Sequence, residues 1–259
     1  MPTFLYNATV FGPVQSRRLG TSLGINLLPA GCKYCNFDCI YCECGRNIEL
    51  SEKNNRFPAR NEIYAALEHK LSVIQQTGLL PDAITFAGNG EPTVHPDFAE
   101  IIDDTVSLRN RYAPKSKISV LSNATMLHRQ KVTEALKKTD MPIMKLDSAI
   151  EATLELINQP VKKISVTGLI EQLQSLGNKC IVQTMFLQGT YQGQTVDNTT
   201  PIELDAYERA ILAICPQQVM IYTIARDTPV DSLHKISGDK LRKIATQIKK
   251  HGIEVSVSE

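Results

Sequence analysis

Cys32-Lys-Tyr-Cys35-Asn-Phe-Asp-Cys39-Ile-Tyr-Cys42-Glu-Cys44 gathers five of the chain's seven cysteines into thirteen residues. Read from Cys35, the spacing is C-x3-C-x2-C, with Tyr41 directly before the last cysteine. Three thiolates that close together on one loop can hold a single metal centre. If that centre is a cubane cluster, the triad leaves its fourth iron without a protein ligand. An iron with a free coordination site can bind a substrate or cofactor, so the loop points to chemistry rather than scaffolding.

Other readings of the loop fit less well. Structural zinc sites usually pair two C-x2-C knuckles fifteen or so residues apart, whereas Cys32-x2-Cys35 and Cys39-x2-Cys42 are separated by only three residues. Ferredoxin clusters use C-x2-C-x2-C-x3-C, a different order. A redox C-x-x-C leaves a third and a fourth cysteine unexplained. Cys32 and Cys44 could protect a cluster, ligate a second centre, or do neither. Cys180 and Cys215 stand alone in apolar surroundings and read as small core residues.

Outward from the loop the chain alternates strand-like and helical patterns. Apolar runs lie near 22–28, 82–87, 117–121, 142–146, 180–187 and 218–224, with a final short strand expected at 253–257 after a helix at 239–250. Between them Ile63, Leu67, Leu71 and Ile74 share one helical face, as do Val166, Ile170 and Leu173, and again Leu204, Tyr207, Ile211 and Ile214. Gly78 with Pro81, and Gly177 with Asn178, mark helix stops. Near-continuous apolar strands suit a parallel sheet covered on both faces. Six βα units predict an α/β parallel barrel, complete or partial, with a doubly wound sheet as the alternative.

Each expected strand ends in polar groups: Gly88-Asn-Gly-Glu91-Pro, Ser122-Asn123, Asp147, Gln188-Gly189 and Ala225-Arg226-Asp227. Active sites of parallel barrels lie at those C-terminal strand ends. The polar, aperiodic stretch Gln188 to Pro201 reads as a long lid or binding loop.

Composition sets the background. The chain has 259 residues, 42% hydrophobic and 21% charged, with a net charge of +1. It carries no apolar run long enough to span a membrane and no secretory signal, so a cytoplasmic, reducing setting is expected. Charge does not indicate nucleic-acid binding. The seven Lys/Arg against three Asp in 226–250 read as a solvated helix face.

Cys35-Asn-Phe-Asp-Cys39-Ile-Tyr-Cys42 resembles the signature of radical S-adenosylmethionine (radical SAM) enzymes, and the resemblance extends over most of the chain. Gly88-Asn-Gly-Glu91-Pro resembles that superfamily's GGE motif, with Asn89 replacing its middle residue. More narrowly, Pro13-Val-Gln-Ser-Arg17-Arg18-Leu-Gly20, leading through Leu23-Gly-Ile-Asn-Leu-Leu-Pro29 into the cysteine loop, is similar to mostly uncharacterised bacterial iron–sulfur oxidoreductases. These are distantly related to the tRNA wyosine-base synthases. The resemblance implies a parallel partial (β/α)6 barrel of radical SAM type, forming a single domain over 1–259 with an N-terminal extension, 1–20, packed on it.

The resemblance also implies roles. Cys35, Cys39 and Cys42 would bind three irons of a [4Fe-4S] cluster, and S-adenosyl-L-methionine (SAM) would chelate the fourth. An electron from the reduced cluster then cleaves SAM to methionine and a 5′-deoxyadenosyl radical. Tyr41 would lie near the adenine, or simply pack beneath the loop. Gly88, Gly90 and Glu91 match the position that contacts the methionyl amine; a carboxylate suits an ammonium, and glycine lets backbone approach closely. Ser122 and Asn123 are placed for the ribose hydroxyls, or for a turn at the strand–helix junction. Asp147 would contact SAM or substrate, or cap a helix.

An electron donor such as flavodoxin or ferredoxin is implied, while no residue names the substrate, the catalytic group acting on it, or the fate of SAM. Three rival readings stand: an activating enzyme for a glycyl-radical partner, modification of a tRNA nucleoside, and a non-catalytic metal-binding adaptor. Arg17 and Arg18 could bind a substrate phosphate or carboxylate. Arg226 and Asp227 read as an internal ion pair, Gln183 and Met185 as barrel-lining or core. The five histidines show no ligand spacing and are expected to be exposed.

Overall fold

The computed structural model describes residues 4–47 and 56–259. The apolar runs form strands that align in parallel: β2 (Gly20–Ile25), β3 (Ala83–Phe86), β4 (Lys117–Ser122), β5 (Met141–Lys145), β6 (Ile181–Tyr191), β8 (Gln218–Thr223) and β10 (Glu254–Ser258). β1 (Val10–Ser16) pairs antiparallel with β2, so the path runs β1-β2-β3-β4-β5-β6-β8-β10. β1 and β10 are its two ends, and the barrel is therefore partial. The first six parallel strands and the short last one fall where the apolar runs predict them. Arg17 of the β1–β2 turn donates to the Glu259 carbonyl at 2.7 Å, just past the C-terminal end of β10, and so links the two edges of the sheet.

Helices α1 (Arg60–Thr77), α2 (Phe98–Tyr112), α3 (Gln130–Lys137), α4 (Glu151–Asn158), α5 (Val166–Gln174), α6 (Pro201–Ile214) and α7 (Gly238–Lys249) connect the strands. Their buried stripes follow the helical period. Ile63, Leu67, Leu71 and Ile74 all face inward from α1, and their burial holds the helix against the sheet far more than intrinsic propensity does. α1 stops at Gly78, whose φ of 71° closes the last turn.

Alternation along each strand separates two environments. Met144, Val182 and Val219 join the main core, whereas Ile143, Ile181 and Met220 form a small apolar cluster together with Leu19 and Leu121. Two residues further along each strand come Lys145, Gln183 and Tyr222, which line a cavity instead. The inner face is thus an apolar floor with a polar layer above it, nearer the C-terminal strand ends.

The lid expected over Gln188–Pro201 is a β-hairpin. β6 runs on to Tyr191, turns at Gln192 and Gly193 (φ 50° and 76°), and returns as β7 (Gln194–Asp197). β9 (Leu233–Lys235) pairs with β6 on its other side. The segment looked irregular because its exposed Gln and Thr residues hide strand alternation; two successive left-handed residues are the turn geometry that matches strand twist. Asn198, wholly buried, staples the hairpin by donating to the carbonyls of Asp147 (2.7 Å) and Met185 (2.8 Å) and accepting from Leu187 N–H (2.9 Å).

Asn198→Ala leaves three buried backbone groups unpaired and should cost about 2–4 kcal/mol in chemical denaturation. Asn198→Asp should cost at least as much, because it sets a carboxylate oxygen against two carbonyls. A tolerated Asp would contradict the bonding pattern.

Candidate functional site

The cysteine loop leaves β2 at the C-terminal mouth and is clamped on two sides. On one, Tyr34 and Gly90 form a parallel bridge: Tyr34 N–H donates to Asn89 O (2.7 Å) and Glu91 N–H to Tyr34 O (3.1 Å). Gly90 has φ 139°, and a Cβ there would drive into the Tyr34 carbonyl, so only glycine allows this approach. On the other side, Asp38 and Ile40 N–H groups donate to the carbonyls of Asn158 (3.0 Å) and Ile157 (2.9 Å), and Phe37 bridges Pro160. The last turn of α4 thereby satisfies carbonyls that a helix end leaves open. Asp38 organises the loop from within, accepting from Lys33 Nζ (2.8 Å) and Asn47 N–H (2.8 Å).

Asn89, which departs from the glycine pattern, is completely buried and turned away from the mouth. Its amide exchanges hydrogen bonds with the Tyr6 backbone (both 2.8 Å) and donates to Pro29 O (3.0 Å). The side chain thus joins the N-terminal segment, the entry to the cysteine loop and the end of β3.

Glu91 is buried and densely bonded. Its carboxylate accepts from the backbone and hydroxyl of Thr93, from Ser122 Oγ (2.8 Å) and from Asn123 N–H (2.6 Å). Burial raises its pKa, and the donated hydrogen bonds oppose that rise. Asn123 Nδ2 donates to Asn36 Oδ1 (2.5 Å) and approaches Cys35 Sγ at 3.7 Å. Ser122 and Asn123 form the turn open to them after β4 by accepting from Ala124 and Thr125 N–H, Glu91 caps the short helical turn that follows it, and all three also face the cavity.

Asp147 lies just beyond the C-terminal end of β5, buried behind the cavity wall. It accepts from the Tyr41 hydroxyl, Asn158 Nδ2 (2.6 Å) and Met185 N–H (2.9 Å), and pairs with Lys145 at 3.6 Å. Tyr41 is buried with its hydroxyl directed inward, and Lys145 Nζ stands 5.1 Å from its ring centroid. Burial, then the Asp147 charge, pushes the Tyr41 hydroxyl pKa well up.

Cys35, Cys39 and Cys42 line one cavity of about 280 Å³ together with Tyr41, Gly88, Gly90, Glu91, Ser122 and Asn123. Asp147 is not part of its wall. Burial pushes the Cys35 thiol pKa up and that of Cys39 to about 11, while a hydrogen bond with Cys44 brings Cys42 down to about 6 and pushes Cys44 up. Lys33, buried beside the thiols, donates to Asp38 and Gly45 O (3.0 Å) and complements negative charge on the sulfurs. Three thiols and an ammonium around a space of this size fit a multi-atom iron–sulfur group. Among the described residues no set of three His, Cys, Asp or Glu chelates a single ion.

Several features escaped sequence reading. Lys33, Lys145 and Asn158, the last donating to Cys39 Sγ at 3.3 Å, carry no motif; a lysine between two cysteines and another two residues before Asp147 were the available hints. Arg226 pairs with Glu43 of the cysteine loop at 2.6 Å rather than with Asp227. His95 is buried, bonded to Pro58 O and Asp97 N–H, whereas the other four histidines are exposed. Cys180 is buried as expected, but Cys215 is exposed, because it caps α6 in a left-handed conformation.

A parallel partial barrel with a C-x3-C-x2-C loop at its mouth defines a class, and the Radical SAM superfamily profile matches residues 32–197. The chain belongs to the radical SAM superfamily of enzymes and, within it, to the UPF0026 proteins. It is 31% identical over 68% of its length to a UPF0026 protein of Methanocaldococcus jannaschii, covering 53% of that protein. It is 32% identical over 85% of its length to one from Synechocystis, covering 77%. The chain thus spans about half the length of the first of these relatives.

Among solved structures, a radical SAM methyltransferase from Sphaerobacter thermophilus superposes with a TM-score of 0.66 at 13% identity, over 92% of this chain and 65% of that one. Archaeal TYW1 gives 0.51 at 14% identity, over 88% and 71%. At such identities the likeness is one of fold. Among the described residues no helix is long and apolar enough to cross a membrane.

The thiol order is testable in metal-free protein. Near neutral pH, mass-spectrometric alkylation should label Cys42 and exposed Cys215 well before Cys39 and Cys35; Cys39 leading would contradict the site. The unfolded Cys39 thiol ionises near 9 and the folded one near 11, so the folded chain holds more protons in that window. Metal-free stability should therefore fall as pH rises from 9 toward 11.

Proposed function

We propose that this protein uses Cys35, Cys39 and Cys42 to hold an open-site [4Fe-4S] cluster and cleaves SAM reductively in order to abstract hydrogen from a substrate. The observation that carries this reading is the convergence of those three thiols with the Gly88–Glu91 turn on one cavity. When bound, the cluster supplies the electron that splits SAM into methionine and a 5′-deoxyadenosyl radical.

This chain's own residues supply binding and orientation. Gly88 and Gly90 let the backbone itself line the cavity, and the Glu91 carboxylate, held by four donors, complements the methionyl ammonium. Ser122 and Asn123 offer a hydroxyl and an amide for the ribose. Tyr41 forms the wall near the adenine. Asp147 fixes Tyr41 and Lys145 in place from behind, which in our reading takes the place of a direct contact with SAM. The cysteine loop and the strand ends exclude water around the reacting bond.

The chain acts in our reading as a single radical SAM domain, with the described part of the N-terminal extension, residues 4–20, packed on the barrel. A flavodoxin- or ferredoxin-like donor delivers the electron. A cytoplasmic setting suits a chain with clustered thiols.

Anaerobic reconstitution with iron and sulfide, followed by reduction with SAM present, should give a brown protein that forms 5′-deoxyadenosine. Cys39→Ser should reduce that product to background. Zinc at unit stoichiometry with little iron or sulfide would favour the adaptor reading and overturn ours. A stable complex with a partner that gains a glycyl radical would identify an activating enzyme, and turnover of a tRNA nucleoside would identify a tRNA-modifying one.

A further inference from the structure

Arg18 enters the barrel from below. It belongs to the turn between β1 and β2, at the N-terminal ends of the parallel strands, yet its guanidinium carbon lies 4.4 Å from the ring centroid of Tyr222, near the C-terminal end of β8. The side chain passes its neighbour Leu19, part of the apolar floor, and reaches the polar layer above. Arg17 turns the other way, to the Glu259 carbonyl. Only the second arginine of the pair faces the lumen.

The Arg18 Nη1 atom is buried and has no hydrogen-bond partner in the protein. The Nε2 atom of Gln183 is in the same condition, on a residue with only 5% of its surface exposed. Gln183 points inward from β6, paired in register with Lys145 of β5. Both side chains line the cavity that also holds Cys35, Cys39 and Cys42.

The other cations on that wall are already matched. Lys33 has Asp38 and the Gly45 carbonyl, while Lys145 has Asp147 and the Tyr222 hydroxyl (3.1 Å). A buried donor without an acceptor costs free energy, so two that share one cavity call for an acceptor from outside the chain. A guanidinium and an amide nitrogen donate only, and the planar arginine fork matches an oxoanion in particular. The Tyr222 ring, 4.4 Å from the guanidinium carbon, holds that end of the side chain in the polar layer by a cation–π contact and leaves Nη1 without an acceptor.

We propose that Arg18 and Gln183 form an anion subsite in the barrel lumen that holds the carboxylate or phosphate of a small substrate. The proposal rests on the reading of the cysteines as a SAM-cleaving centre, and it names the class of molecule that the radical attacks. The anionic group anchors deep in the lumen, so the remainder of the substrate extends toward the strand ends where SAM would lie.

The test uses reconstituted holoenzyme with SAM, titrated calorimetrically with inorganic phosphate in one arm and acetate in the other, for the wild type, Arg18→Met and Gln183→Leu. Binding of either anion should weaken about tenfold or more in Arg18→Met, the loss of a charge-assisted hydrogen bond, and less in Gln183→Leu. A response to phosphate alone marks a phosphate ester, and one to acetate alone a carboxylic acid; either supports the subsite.

Arg18→Met keeps the apolar reach over Tyr222, so its melting temperature should equal or exceed that of the wild type, which a purely structural arginine would not allow. Anion binding that is absent, or equal in all three proteins, would overturn the proposal. So would a parallel loss of SAM affinity in both variants, which would give these donors to SAM. Iron content and SAM affinity of the wild type separately test the underlying reading.

Discussion

Everything at the mouth of this barrel depends on how the cysteine loop is held. A loop carrying three thiols has no regular structure of its own, and its backbone groups must be satisfied from outside. The Gly88–Glu91 turn takes Tyr34 on one side, and the carbonyls of Ile157 and Asn158 take Ile40 and Asp38 on the other. Lys33 and Asp38 close the loop internally with an ion pair buried on its lysine side. The cysteines are therefore positioned by β3 and α4, far apart in sequence, rather than by their own spacing.

The same clamp couples the thiols to the residues around them. Glu91 leaves the turn that anchors Tyr34 and binds Ser122 and Asn123 at the end of β4. Asn158 leaves the α4 turn that anchors Asp38 and bonds both Cys39 and Asp147. Asp147 in turn holds Tyr41 and Lys145. A change at either anchor reaches the cavity through one or two hydrogen bonds. In this respect the partial barrel is a rigid frame on which a few buried polar links set the chemistry.

Much of this was legible in the sequence. The parallel strands could be read from apolar runs, and the C-x3-C-x2-C loop with its Gly-Asn-Gly-Glu partner identified the mouth. The unread part consists of long-range contacts. Asn89 looked like a defect in a glycine motif, but it is a staple whose partners, Tyr6 and Pro29, lie about 60 to 80 residues away. Asp147 stood at a strand end like Ser122, yet it is turned behind the cavity wall by Asn158 and Met185 approaching from other elements. Arg17 and Arg18 are adjacent and chemically alike; only the path of the β1–β2 turn sends one to the C-terminus and the other into the lumen. The hairpin after β6 was hidden because both of its faces are largely polar.

The central claim is that three cysteines hold a cluster whose remaining iron accepts SAM. Electron paramagnetic resonance of the reduced, reconstituted protein, recorded with and without SAM, tests it most directly. The expected result is the signal of a reduced [4Fe-4S] cluster whose g-values shift when SAM is added. A cluster signal indifferent to saturating SAM, or no iron–sulfur signal from protein that has bound its metal, would contradict it.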